Sequence, residues 1–73
     1  MLIQTEVGRA EVVAKGVGAL TGVASSEYVT GPYDVVVRVG AADEAAMRDI
    51  VAAVQGVEGI TRTLTCPIAG ASH

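Results

Sequence analysis

The chain has 73 residues, of which 51% are hydrophobic, and it carries a formal net charge of −3. Its five basic residues are scattered, which argues against direct nucleic-acid binding, because such binding needs a basic face that displaces counterions. A single cysteine excludes an internal disulfide and fits a reducing compartment, and no apolar run approaches membrane-spanning length. These properties predict one small, soluble, cytoplasmic domain over residues 1–73.

The first third of the chain changes from a strand pattern to a helix pattern. Residues 2–7 alternate between two faces, which predicts a strand that ends at Gly8. From Arg9 onwards the apolar positions recur with a helical period, at Ala10, Val13, Val17 and Leu20, and Thr21-Gly22 has the composition of a helix C-cap. Gly16 and Gly18 lie inside this helix. We expect them to mark close approach to a neighbouring backbone; a weak helix held by tertiary packing is the alternative.

The stretch from Thr30 to Asp34 separates two strand-like runs, 23–29 and 35–39. Pro32 fixes φ and Gly31 accepts conformations closed to other residues, so the chain turns here as a hairpin. The second run, Val-Val-Val-Arg-Val, is typical of a strand in the middle of a sheet with both faces buried. Since binding groups often sit on constrained loops, the phenol and carboxylate at the tip are the first candidates for a site.

The second half predicts a helix and a final strand. Asp43 is a good N-cap with Glu44 in the first turn, and Met47, Ile50, Val51 and Val54 form an apolar stripe to about Gln55 or Gly56. Met47 in such a stripe is more often core packing than part of a ligand pocket. Residues 60–68 predict the fourth strand, with Pro67 indicating an edge or an end. Its expected faces are Ile60, Arg62, Leu64 and Cys66 against Thr61, Thr63 and Thr65. The tail, 69–73, is expected to fray.

The element order is therefore β-α-β-β-α-β, the order of ferredoxin-like α+β domains. The right-handed crossover rule places both helices on one face of a four-stranded antiparallel sheet. The other face then carries uncovered Val and Ile side chains. We expect it to pack against a second copy of the chain, giving a dimeric α+β sandwich.

Three motifs occur in this order at spacings typical of a known family: A-L-T-G-V at 19–23, T-G-P-Y-D-V-V-V-R-V at 30–39 and G-I-T-R-T-L-T at 59–65. With them the chain resembles the effector module of the Lrp/AsnC (feast/famine) family, the RAM domain. The resemblance implies a small-molecule site between neighbouring dimers, usually for a free amino acid. By position it implies five ligand-binding residues: Gly31, Tyr33, Asp34, Thr63 and Thr65.

The resemblance has one departure. Regulators of this family carry a helix-turn-helix domain before the module, whereas the first strand here begins at Leu2. We therefore expect a stand-alone RAM domain that forms dimers and rings of dimers and has no DNA-binding domain of its own. Co-assembly with a full-length Lrp/AsnC regulator is one way in which it would pass on a signal.

The chemistry of these residues suits a zwitterion. Asp34 offers an acceptor for an ammonium group, and the hydroxyls of Thr63 and Thr65, with backbone N–H groups near Gly31, offer donors for a carboxylate. A structural alternative is open: Asp34 satisfies backbone donors, Tyr33 packs, and the threonines are ordinary strand residues.

Catalysis is not expected. The one histidine is the terminal His73, so no internal Ser-His or Cys-His pair can form, and the lone Cys66 does not make a metal carrier. We expect no catalytic residues, metal ligands or cofactor. The rivals to amino-acid sensing are a purely structural oligomerisation module and, less favoured, a small dimeric α+β-barrel enzyme.

Overall fold

The fold is seen in a computed structural model that describes residues 1–68. Its elements are β1 (Leu2–Thr5), α1 (Ala10–Gly18), β2 (Val23–Tyr28), β3 (Val35–Val39), α2 (Glu44–Gln55) and β4 (Ile60–Leu64). The strands form one antiparallel sheet in the spatial order β2-β3-β1-β4. The ferredoxin-like α+β fold and the inner position of β3 are thereby confirmed. The tail that was expected to fray, 69–73, lies outside the described residues.

The core lies between one face of the sheet and the two helices. Its fully buried large side chains are all aliphatic: Ile3, Val13, Val17, Val35, Val37 and Val54. Each such side chain contributes about 1.5–3 kcal/mol when it leaves water. Within residues 1–68 no polar or charged side chain is fully buried, so the hydrophobic effect, rather than a polar network, holds the layers together.

The two helices differ in how they begin and end. At α2 the Asp43 side chain accepts a hydrogen bond from the Ala46 N–H at 2.8 Å, which confirms the predicted N-cap, and Gly56 is the C-cap residue. The predicted C-cap of α1 at Thr21-Gly22 is wrong, because α1 ends at Gly18 and Ala19 is the cap. Neither described helix is long and apolar enough to cross a membrane.

Two glycines are required where the chain enters a strand. Gly22, before β2, has φ of 92°, and a Cβ there would lie 2.7 Å from Ile50 Cγ1. Gly59, before β4, has φ of 99°, and its Cβ would lie 3.0 Å from Val13 Cγ2. At both positions a side chain would meet the helix that covers the sheet. The helices therefore pack closely over these two strand entrances.

The glycines inside α1 have a different environment. A Cβ at Gly16 would lie 3.5 Å from Val57 Cγ1, and one at Gly18 would lie 3.6 Å from Ser26 Cβ. Both are ordinary van der Waals contacts with side chains. The expected close approach to a neighbouring backbone is therefore wrong, and packing against neighbouring elements holds this helix.

The predicted first and last strands both extend too far at their C-terminal ends. β1 stops at Thr5 instead of residue 7, because the Arg9 N–H donates to the Glu6 carbonyl at 3.0 Å and turns the chain, which leaves Val7 fully exposed. β4 stops at Leu64 instead of residue 68. Leu64 pairs with Leu2, the first residue of β1, so the sheet offers no further strand residue for pairing.

The prediction that β3 is buried on both faces is also wrong. Val35 and Val37 are buried, whereas Val36 and Val39 are half-buried and Arg38 is exposed. The cause is that the helices cover only one face of the sheet, and alternate residues of the strand point to that face. β3 is central in the sheet and still has one face without helices.

The expected faces of β4 are wrong at its first residue. A register shift between Gln4 and Thr5 pairs Thr5 with Ile60 and Gln4 with Arg62. Ile60 therefore packs against the core, on the side of Thr63, while Arg62 belongs to the opposite side. Strict alternation fails here because the irregular pairing uses one extra residue.

The face of the sheet away from the helices is here called the open face. The strand registers place on it Leu2, Gln4, Ser25, Glu27, Val36, Arg38, Arg62 and Leu64. One cross-strand row, Glu27-Val36-Leu2-Leu64, runs over all four strands and is apolar except at Glu27. The open face therefore combines an apolar row with charges of both signs.

The strand entrance at Gly22 generates a stability prediction. Gly22→Ala should destabilise the fold by about 1–3 kcal/mol in urea unfolding, since it strains a left-handed backbone and displaces Ile50. Gly40→Ala is the matched control, because nothing lies within 4 Å of its added Cβ. Equal midpoints for the two variants would contradict the close packing inferred at Gly22.

Candidate ligand-binding site

The hairpin tip between β2 and β3 is closed by backbone hydrogen bonds. The Val29 N–H donates to the Asp34 carbonyl at 2.8 Å, which joins the two sides of the loop. The Asp34 N–H in turn donates to the Ile3 carbonyl of β1, also at 2.8 Å. The base of the loop is thus joined to a neighbouring strand that is buried in the core.

Two contacts with β1 hold the tip above this base. The Thr5 N–H donates to Asp34 Oδ2 at 2.8 Å, and Gln4 Nε2 donates to the Pro32 carbonyl at 2.9 Å. One carboxylate oxygen of Asp34 therefore satisfies a backbone donor, as in the structural alternative. Sequence reasoning missed Gln4, because no local pattern links it to a carbonyl 28 residues away.

The other two predicted residues of the tip face less crowded surroundings. Tyr33 is half-buried, and Gly31 is exposed with no atom within 4 Å of where a Cβ would stand. The described part of the chain thus leaves open space beside Gly31. A ligand or another chain can approach the loop backbone there.

The two predicted threonines differ in environment. Thr63 pairs with Ile3 on the helix side of the sheet and accepts a hydrogen bond from Gln55 Nε2 at 3.1 Å. Thr65 lies beyond the end of β4 and is exposed. Of the two hydroxyls, that of Thr65 is therefore the more accessible to a ligand.

The predicted site residues do not meet within one chain. Asp34 contacts Thr5, at one end of β1, whereas Thr65 follows Leu64, which pairs with Leu2 at the other end. The strand residues between these ends span about 10–13 Å at ~3.3 Å per residue. The structure therefore places the hairpin tip and Thr65 at opposite ends of the sheet, with Thr63 between them.

A cavity of about 350 Å³ lies at the Thr65 end. The chain around Thr65 forms one wall, and the other lining side chains are mostly apolar, including Met1, Val37, Val39, Met47, Cys66 and Ile68. The cavity lies beside the start of β1. There Met1 and Val37 exchange two backbone hydrogen bonds, and β3 continues beyond this pair to Val39. Sequence reasoning assigned Met47 to the core, whereas the structure places it half-buried at the cavity and outside the core cluster, which the periodicity of α2 alone does not reveal.

Comparison with protein families identifies the domain. A family model described as the Lrp/AsnC ligand binding domain matches residues 1–69. The chain belongs to this family. The match confirms the resemblance carried by the three motifs, and it supports a ligand-sensing effector module for this Lrp/AsnC domain. Among curated proteins, none matches the chain significantly.

The Gln4 contact generates a prediction about the hairpin tip of this Lrp/AsnC domain. Gln4→Ala removes the bond to the Pro32 carbonyl, so the hydrogen-bonded amides of Val29 and Asp34 at the base of the tip should exchange with solvent about two- to tenfold faster, as expected for the loss of one hydrogen bond. Gln55→Ala removes a similar amide bond to Thr63 on the helix side and should leave tip exchange unchanged. Equal tip exchange in both variants would show that Gln4 does not hold the loop.

Proposed function

We propose that this domain senses a free amino acid at seams between copies of itself. Each seam would combine the hairpin tip of one copy with the Thr65 end of another. The observation that carries the proposal is the separation of Asp34 from Thr65 along β1, because one chain alone cannot bring both groups to one small ligand. Membership of a ligand-binding family supports the presence of a small-molecule site.

The groups at such a seam complement a zwitterion. Asp34 uses Oδ2 for the Thr5 N–H, and we assign its Oδ1 as the acceptor for the ammonium group of the ligand. The Thr65 hydroxyl and the backbone N–H groups around Gly31 donate to the carboxylate. Tyr33 packs beside the ligand. The Thr63 hydroxyl, which accepts a hydrogen bond from the Gln55 amide, is a further donor to the carboxylate.

The open face supports assembly into dimers. Leu2, Val36 and Leu64 offer an apolar row, and Glu27 shares the face with Arg38 and Arg62. Two copies packed face to face bury these rows against each other and bring opposite charges within reach at the rim. Contacts between tips and Thr65 ends then join dimers into rings. The same surfaces would serve co-assembly with a full-length Lrp/AsnC regulator.

Assembly and ligand binding are coupled in this proposal. A ligand that binds the seam and not the separate copies shifts the equilibrium towards the assembled form by mass action. The domain would thus convert the concentration of an amino acid into a change of oligomeric state.

One observation favours a second candidate, a purely structural oligomerisation module. The Asp34 carboxylate already accepts the Thr5 N–H, which gives this residue a folding role without any ligand. A structural module would assemble and show no stabilisation by an amino acid. An effector at 100 times its Kd adds about 2.7 kcal/mol, which for a domain of this size raises Tm by roughly 10 °C or more.

The open face generates the first prediction. Val36→Lys places an unpaired charge in the centre of the apolar row and should weaken dimerisation at least tenfold in sedimentation equilibrium (about 1.4 kcal/mol or more). Val12→Lys is the matched control, since Val12 is a 56% exposed valine on α1. A stable monomer in the parent protein, or equal dimerisation in both variants, would rule out this interface.

The Asp34 carboxylate generates the second prediction. Asp34→Asn keeps an oxygen that accepts the Thr5 N–H but removes the charge, so amino-acid affinity measured by calorimetry should fall at least tenfold while the unfolding midpoint changes little. Asp49→Asn removes an exposed charge on α2 and is the control. Unchanged affinity in Asp34→Asn would remove this residue from the site.

A further inference from the structure

We propose that the cavity beside Thr65 receives the side chain of the effector and therefore selects amino acids with neutral aliphatic side chains. This inference rests on the proposed function, since it names the ligand class of the same site. It is carried by the chemistry and size of the cavity and by the position of Thr65 at its edge.

The lining of the cavity is apolar where a ligand side chain would lie. Val37 and Val39 belong to the helix-covered face of β3, and Met47 approaches from α2. Arg38, which also lines the cavity, is exposed and belongs to the open face of β3. Among the residues that the structure describes, no acidic residue lines the cavity. A lysine side chain would therefore bury its charge without a partner.

The few polar groups at the rim of the cavity fix the orientation of the ligand. Apart from Arg38, the polar side-chain groups of the lining are the Thr65 hydroxyl and the Cys66 thiol. The hydroxyl donates to the ligand carboxylate at the rim, which directs the ligand side chain inwards, towards Met47 and Val39. The same orientation leaves the ammonium group outside, where the Asp34 of another copy reaches it.

The cavity has the size for a small ligand, and its methionine side chains can adapt to the shape of that ligand. Its volume of about 350 Å³ lies near the lower end of pockets that hold small molecules, so it suits an amino acid rather than a nucleotide-sized cofactor. Met1 and Met47 are unbranched and adjust to different aliphatic shapes. Each methylene group that the cavity buries should strengthen binding about fourfold.

The first test is a calorimetric series on the intact protein. Glycine, alanine, 2-aminobutyrate, norvaline and leucine should bind with affinities that rise about fourfold for each added methylene. Asparagine, which has the shape of leucine with polar atoms, should bind at least tenfold more weakly than leucine, and lysine should bind no better than glycine. Preferred binding of a polar or charged amino acid overturns the inference and leaves the sensing function standing. Absence of binding by every amino acid overturns both.

The second test locates the ligand with the one thiol of the chain. Cys66 is exposed and lines the cavity, so leucine at ten times its Kd should slow alkylation of Cys66 by iodoacetamide about tenfold. Saturating glycine occupies the rim without filling the cavity and should slow it much less. A thiol placed on β2 by Ala24→Cys in a Cys66→Ser background should react equally with and without leucine. Leucine binding without protection of Cys66 would place the aliphatic side chain elsewhere and overturn the inference.

Discussion

The pairing of β1 with both β3 and β4 is the interaction on which the rest of the structure depends. This strand has only four residues, yet its Ile3 is fully buried beneath the helices, and Leu2 lies on the open face. Its last residues hold the hairpin tip through the Gln4 amide and the Thr5 N–H. At the other end of the sheet, where β1 begins, Met1 lines the cavity. One short strand thus keeps two candidate binding elements in fixed positions and apart.

In the proposed function, that separation gives assembly a physical role. A helical layer on one side leaves an apolar row on the other, which by itself favours association with a second copy. A ligand held between the tip of one copy and the cavity of another would add its binding free energy to that association. The small core makes such a contribution large, because the free energy of unfolding of a domain of this size is only about 0.05–0.15 kcal/mol per residue.

The order of elements and the helix-covered face could be predicted from the sequence because both follow from local periodicity. The stripe of Val13 and Val17 and the Asp43 cap need no information from the rest of the chain. The strand ends could not be predicted, because they depend on partners: β4 stops at Leu64 where β1 begins. Burial of β3 was overestimated, since a run of valines does not show which face the helices leave open.

The candidate site was predictable in part for the same reason. The hairpin motif drew attention to Tyr33 and Asp34, whereas the contact from Gln4 to Pro32 joins residues distant in sequence and has no local signal. The cavity also escaped prediction, because it is formed by four separate segments, at Met1, residues 37–39, Met47 and residues 65–68. Close approach was expected at Gly16 and Gly18, but the tight positions are Gly22 and Gly59, where the position of the opposing helix decides the space.

The shared seam is tested most directly by mixing two inactive variants. Tyr33→Ala alters only the hairpin tip and Thr65→Val only the cavity end, and each variant alone should bind no amino acid with appreciable affinity. If each site takes its tip from one copy and its cavity from another, co-refolding the two variants in equal amounts should restore binding at about one quarter of the sites, as random mixing requires. Calorimetry that finds no restored sites in a fully mixed assembly would contradict the account, because it would show that one chain supplies both groups.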